Sequence, residues 1–343
     1  MDLGIEVILE LFSKNGLSSL IPKGEIAQFS ENSQRIHTLW DDYITTIDAV
    51  IAFLQGKNQT FARQICSENF LPQASRFDQL DDMEWAFGSM GIQDQAKHLS
   101  TLYLEDLLDF IVECVDENFG FSRYAERLGR SANSFDELYD NLNQEFTYID
   151  TILISILKSK IETIQPTLFL ISVPFPGNLY AAFRCAQWVK KHHPTIKIAM
   201  GGGFPNTELR SLSDKRVFEF FDFITLDDGE LPLKLLIDNL SLKSSGQYKR
   251  TFLLENGEVV YKNNSTKSDY KQAEVGTPDY SDLLLDKYIS VIEIVNPMHR
   301  MWSDGRWNKL TMAHGCYWRK CTSVSYTHLR AHETGRNLVC RLL

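Results

Sequence analysis

No apolar run in this chain approaches the ~20 residues that carry a helix across a bilayer, so a membrane span is not expected. The text from Met1 has no basic stretch leading into an apolar core, so a secretory leader is not expected either. Positive charge is in deficit. Lys and Arg total 35 against 45 Asp and Glu, a net charge of −10, which argues against nucleic acid or an anionic membrane as partner. Cysteine is scarce, with 6 in 343 residues and no paired framework, and this fits a reducing, cytoplasmic setting. No Cys-x2-Cys pair is present to complete a zinc tetrahedron. No Gly-x-Gly-x-x-Gly follows a strand, which argues against ordinary dinucleotide binding.

What is present begins with helical text. Gly and Pro are sparse through the first half, and the apolar content of 43% suffices for a real core. Apolar spacing predicts helices over Met1–Phe12, Ile36–Leu54, Leu102–Val115 and Tyr148–Ile164. Ser134, with Glu137 three residues on, reads as a capping box for a helix over Phe135–Leu142. Cys66, Cys114 and Cys185 lie in apolar helical patterns and read as small buried hydrophobes. No chemistry is legible in residues 1–150.

After Pro166 the pattern changes to strand–helix alternation. Thr167–Val173 is apolar on both faces, as a buried parallel strand is. The turn Pro174–Gly177 follows, then Asn178 as N-cap of a helix over Leu179–His192. Ile196–Met200 and Phe221–Leu226 are the next strands. A short helix is expected over Thr207–Leu212, and another over Pro232–Leu240 with Pro232 in its first turn. Such alternation specifies a doubly wound parallel sheet, whose ligands bind beyond the carboxyl ends of the strands. The loops gathered there are Ser172–Gly177, Gly201–Phe204 and Asp227–Glu230. Arg250–Lys262 reads as a hairpin turning at Asn256-Gly257. Asn263–Glu274 is polar and loop-like, and Pro297–Asn308 forms an aromatic and charged loop.

The chemistry-bearing motif is Leu310-Thr-Met-Ala-His-Gly-Cys316-Tyr-Trp-Arg-Lys-Cys321-Thr322. A short apolar run leads through Gly315 into two cysteines separated by four residues. This loop resembles the Gly-Cys-x4-Cys-Thr-Phe-Cys segment of radical S-adenosylmethionine proteins that carry a cobalamin-binding domain. Gly315, Cys316, Cys321 and Thr322 match it, while Ser323 and Val324 stand where Phe and the third Cys would be. The order of Ser172, Gly201, Gly202 and Gly203, then Gly229 and Glu230, is similar to the loops of the cobalamin-binding domain in that family. Pro278-Asp279-Tyr280-Ser281 resembles the family's linker into its radical domain.

The resemblance implies a fold and a division of the chain. The fold class is α/β: a helical N-terminal region (1–150), then a Rossmann-like, cobalamin-binding-type parallel sheet (151–243). A hairpin and linker (244–307) follow, then only the first strand of a radical S-adenosylmethionine partial triosephosphate-isomerase-like barrel (308–322). Residues 323–343 are basic and unpatterned, and resemble translated adapter sequence. They read as a non-native tail expected to pack poorly, and the chain reads as a fragment that also lacks a first strand–helix unit. The resemblance further implies an enzyme in which Cys316 and Cys321, with a third thiolate, hold a 4Fe-4S cluster that cleaves S-adenosylmethionine reductively. The fragment itself is expected to be inactive. A reductant such as flavodoxin or ferredoxin is the implied partner, and the substrate, a small molecule or a peptide, is not legible. Cobalamin would sit at Ser172, Gly201–Gly203, Gly229 and Glu230. The cobalt-ligating Asp-x-His-x-x-Gly motif is absent, so a glycine turn that only permits tight packing stands beside that reading. Two other functions remain open: a non-catalytic α/β ligand-binding module with incidental cysteines, and a cobalamin-dependent methyl carrier.

Overall fold

The computed structural model describes residues 1–289 apart from 68–69, 83–90, 122–123, 131–133, 242–245, 272–273 and 278. The predicted barrel start at 308–322, the Pro297–Asn308 loop, Cys316, Cys321 and the 323–343 tail lie outside the described residues. The chain divides into two compact units. One gathers Met1–Tyr124, Phe146–Lys158 and the described residues from Asp279. The other gathers Ala125–Glu145 and the chain from Ser159 to position 277. Ala125–Glu145, which sequence places in the helical region, thus belongs with the sheet.

The first unit is helical. Its helices are α1 (Leu3–Leu11), α2 (Lys14–Ser18), α3 (Glu31–Thr38), α4 (Trp40–Leu54), α5 (Ala62–Ile65), α6 (Ile92–Cys114) and the first part of α9 (Tyr148–Ile164). α6 buries Ala96, Leu99, Tyr103, Leu107, Phe110 and Cys114, a run at three- and four-residue steps that makes one apolar stripe. α4 answers with Tyr43, Ile47, Val50 and Leu54. Tyr103 donates its hydroxyl to the Tyr43 carbonyl at 2.9 Å, so the two stripes also share a polar tie. Asp106, fully buried on α6, accepts from the Tyr43 hydroxyl (3.2 Å) and from the backbone N–H groups of Ala74 (2.9 Å) and Arg76 (3.1 Å). It thereby anchors the chain entering the 3-10 segment Ser75–Asp82.

Two predicted helices differ from the observed ones. The expected single helix over Ile36–Leu54 is two helices hinged at Leu39 (φ −93°, ψ 10°). α3 starts at Glu31 because the Ser30 hydroxyl accepts the Ser33 N–H at 3.2 Å, a cap that apolar spacing cannot signal. α6 begins at Ile92, well before Leu102, because buried His98, Ser100 and Thr101 mask its periodicity.

The second unit holds the sheet. Before it lie α7 (Glu126–Arg130) and α8 (Asp136–Leu142). The strands are β1 (Leu168–Ser172), β2 (Lys197–Gly201), β3 (Phe223–Thr225), β4 (Thr251–Glu255) and β5 (Glu258–Lys262). Between them run α10 (Leu179–His192), α11 (Gly203–Glu208) and α12 (Glu230–Leu240). β1, β2 and β3 pair in parallel, with Leu170 opposite Ala199 and Ala199 opposite Phe223. β3 then pairs antiparallel with β4, and β4 with β5. The result is an open, mixed, five-stranded sheet in the order β1-β2-β3-β4-β5. The expected sheet was parallel and doubly wound. Here the hairpin, read as a separate connector, extends the same sheet, and the order never reverses among the described strands.

Local chemistry explains the smaller differences. The capping box at α8 does not form. The Ser134 hydroxyl accepts the Asp136 N–H at 3.1 Å and donates to that residue's own carboxylate, while Glu137 pairs with Arg127. Asn178 precedes α10 but makes no side-chain cap, since the 3-10 turn Pro176–Asn178 leads directly into the helix. α11 starts at Gly203, not at Thr207, because Pro205 falls in its first turn, where a missing N–H costs nothing.

Two polar devices tie the elements of this unit together. Arg184 of α10, only 1% exposed, donates to the carbonyls of Leu142 (2.7 Å) and Asn141 (3.0 Å), closing the end of α8. Asp222, just ahead of β3, accepts from Lys190 (2.6 Å), Lys197 (3.0 Å) and the Ile198 N–H (2.8 Å). One carboxylate thereby joins the end of α10, the start of β2 and the start of β3.

Candidate functional site at the carboxyl ends of the parallel strands

Parallel pairing sets three loop starts side by side. Ser172 ends β1 and pairs in register with Gly201, which ends β2. Thr225 ends β3 on the far side of β2. The predicted residues Ser172, Gly201, Gly202 and Gly203 are therefore brought together, and Gly229 and Glu230 lie one strand further on, where α12 begins. Ser172, Pro174 and Phe175 are exposed on the β1 loop, Phe175 at 70%. Glu230 is exposed in the first helical turn, where a carboxylate meets the positive end of the helix dipole.

The glycine run turns its bare Cα atoms toward the chain itself. Gly202 has φ +104°, and a Cβ there would stand 2.7 to 2.9 Å from the backbone of Val173. A Cβ on Gly203 would stand 2.6 Å from the Pro174 carbonyl oxygen. Two backbone hydrogen bonds close the contact: Val173 N–H to Gly201 O at 2.8 Å, and Phe204 N–H to Val173 O at 2.9 Å. Gly201 faces the Thr225 hydroxyl, 3.0 Å from where its Cβ would be. Of the four site glycines only Gly229 leaves room for a Cβ, its nearest neighbour being the Leu233 methyl at an ordinary contact distance of 3.8 Å. An open cradle for a large cofactor is not what Gly202 and Gly203 provide, so the residues present do not fit cobalamin at this run.

Beside the glycine run lies a charged network that sequence reasoning missed. Asp227 follows β3 with φ +60°, and Arg250 precedes β4 with φ +45°. The Leu226 N–H donates to the Arg250 carbonyl at 2.9 Å, so the two left-handed residues flank one hydrogen bond. The Asp227 N–H donates to Asn206 Oδ1 at 2.6 Å, and its carboxylate pairs with Arg210. Arg250 donates from Nε to the Leu226 carbonyl (3.2 Å) and from NH2 to the Asp228 carbonyl (3.0 Å). Its fork also grips Asp269 through bonds of 2.7 and 2.8 Å, which holds that carboxyl below its usual range. No motif signals this cluster, because Asp269 falls in the featureless polar stretch Asn263–Glu274.

Among the described residues no group of three or more His, Cys, Asp and Glu side chains is arranged to hold a metal ion. The predicted cluster ligands Cys316 and Cys321 lie outside the described residues. No helix among the described residues is long and apolar enough to cross a membrane.

No family model, curated protein or solved structure matches the chain. Its function is therefore argued from its own residues.

Proposed function

We propose that the chain carries the cluster-binding loop of a cytoplasmic radical S-adenosylmethionine enzyme, joined to a Rossmann-like α/β unit. One observation carries this reading: Gly315-Cys316-x4-Cys321-Thr322 follows the apolar run Leu310–Ala313. A mixed α/β unit with three adjacent parallel strands precedes that loop, and this adds support. A cluster of this kind, when bound, supplies the electron that cleaves S-adenosylmethionine. Cys316 and Cys321 would be two of its ligands, with the third thiolate wanted at the position of Val324. A flavodoxin or ferredoxin would deliver the electron, and the substrate would be a small molecule or a peptide.

The second reading is a non-catalytic α/β ligand-binding module, in which the cysteines are incidental. The self-packed glycine run favours it, since that run serves the fold without any cofactor. A cobalamin-dependent methyl carrier has less support, because Asp-x-His-x-x-Gly is absent.

Anaerobic reconstitution with iron and sulfide tests the proposal. Val324→Cys completes the Cys-x4-Cys-x2-Cys spacing. This variant is expected to develop broad absorbance near ~400 nm well above that of the parent chain. Adding Cys316→Ala or Cys321→Ala to it should abolish the gain. Equal absorbance in all of these proteins would sink the cluster reading and leave the binding module.

A further inference from the structure

We infer that Gly201–Gly203 is a clasp closed by the chain's own backbone, and that no corrin-class ligand is seated against it. The strand order is the first reason. A ligand crevice in an open α/β sheet forms where neighbouring connections leave toward opposite faces, at a reversal of strand order. Here β1, β2 and β3 follow one another without reversal. Right-handed crossovers then carry the β1–β2 and β2–β3 connections over the same face. Their loops emerge side by side and meet, rather than parting.

The meeting is tight at the atomic level. Val173 and Pro174 of the first loop occupy the space that side chains at Gly202 and Gly203 would need. Hydrogen bonds from the Val173 and Phe204 N–H groups fasten the loops on both sides of that contact. The left-handed φ of Gly202 is set by this approach. A tetrapyrrole-sized ring requires an open wall, and this wall is already covered by peptide. The glycines belong to the fold of the unit, and the cobalamin element of the resemblance loses its seat.

Three alanine substitutions separate a clasp from a cradle. Gly202→Ala and Gly203→Ala are each expected to lower the melting temperature by about 5 °C or more, because backbone atoms must move to admit the methyl group. Gly229→Ala, which meets only the Leu233 methyl at an ordinary 3.8 Å, should stay within about 2 °C of the parent. Gly202→Ala and Gly203→Ala proteins that melt with the parent would overturn the clasp. Equilibrium dialysis of the unsubstituted chain against hydroxocobalamin gives the second readout, which does not depend on any variant folding. No saturable retention is expected up to about 100 µM, and one retained equivalent per chain below that concentration would overturn the inference. Neither readout involves iron, so the outcome is independent of the cluster proposal.

Discussion

A buried charge survives only where every polar contact around it is made. Arg184 meets that demand by ending a helix, its guanidinium answering the carbonyls of Asn141 and Leu142. Asp222, only partly buried, is held by two lysines and a backbone N–H. Burial works to raise the Asp222 pKa, but the bonds from Lys190, Ile198 and Lys197 prevail and hold it below the usual carboxylate range. A depressed native pKa stabilises the fold above the unfolded value, and that contribution disappears as pH falls through the native one. Asp222→Asn is therefore expected to cost about 2 kcal/mol at neutral pH. The gap between variant and parent should narrow in chemical denaturation below about pH 4. A gap that stays constant to low pH would show that the carboxylate charge contributes nothing. Asp106 works in the opposite sense. Burial raises its pKa despite the N–H bonds it accepts, so its contribution is full below the unfolded value and is lost as pH rises through the native one. Neither aspartate is marked in the sequence, because each becomes special only through partners that are distant along the chain.

Secondary elements are legible where local spacing dictates them. The helices over Tyr148–Ile164 and Leu179–His192 agree with their apolar periodicity to the residue. The hairpin is legible for a different reason: Asn256 and Gly257 both take positive φ, 52° and 80°, as the tight turn of a right-twisted hairpin demands. Nothing lies within 4 Å of where a Gly257 Cβ would stand, so a substitution there probes backbone conformation alone. Gly257→Val should destabilise the protein by about 1–2 kcal/mol in urea titration, and an unchanged midpoint would mean that the turn had rearranged. Helix starts made by side-chain caps or hidden by buried polar residues are not legible, as α3 and α6 show. Nor is the charged network at the candidate site legible, since it pairs Asp227 with Arg210, and Arg250 with Asp269, across loops without motifs. The glycine run is legible as a special stretch, while its reason is legible only from the approach of Val173 and Pro174.

At the scale of the whole molecule, the cysteines divide by environment. Cys114 and Cys185 are buried and Cys66 is partly exposed. Burial also pushes the Cys66 and Cys114 thiols up, which lowers the reactive thiolate fraction. Cys114 and Cys185 should resist a disulfide reagent at neutral pH in the native protein and react at once in denaturant. Mass spectrometry of the labelled sites would check this, and rapid native labelling of Cys114 would contradict the helical core described for α6. The same experiment also reads Cys316 and Cys321 separately from the structural thiols.

The sequential strand order has a consequence for how the sheet is made. Each of β2 to β5 hydrogen-bonds to the strand just before it in the chain, and among the described strands no later one has to insert between two that are already paired. Loop closure at every step spans only one connection, so its entropic cost stays small. During synthesis from the ribosome the described strands can accrete outward from β1, presenting one growing edge at a time, and β5 joins β4 through the shortest connection among them.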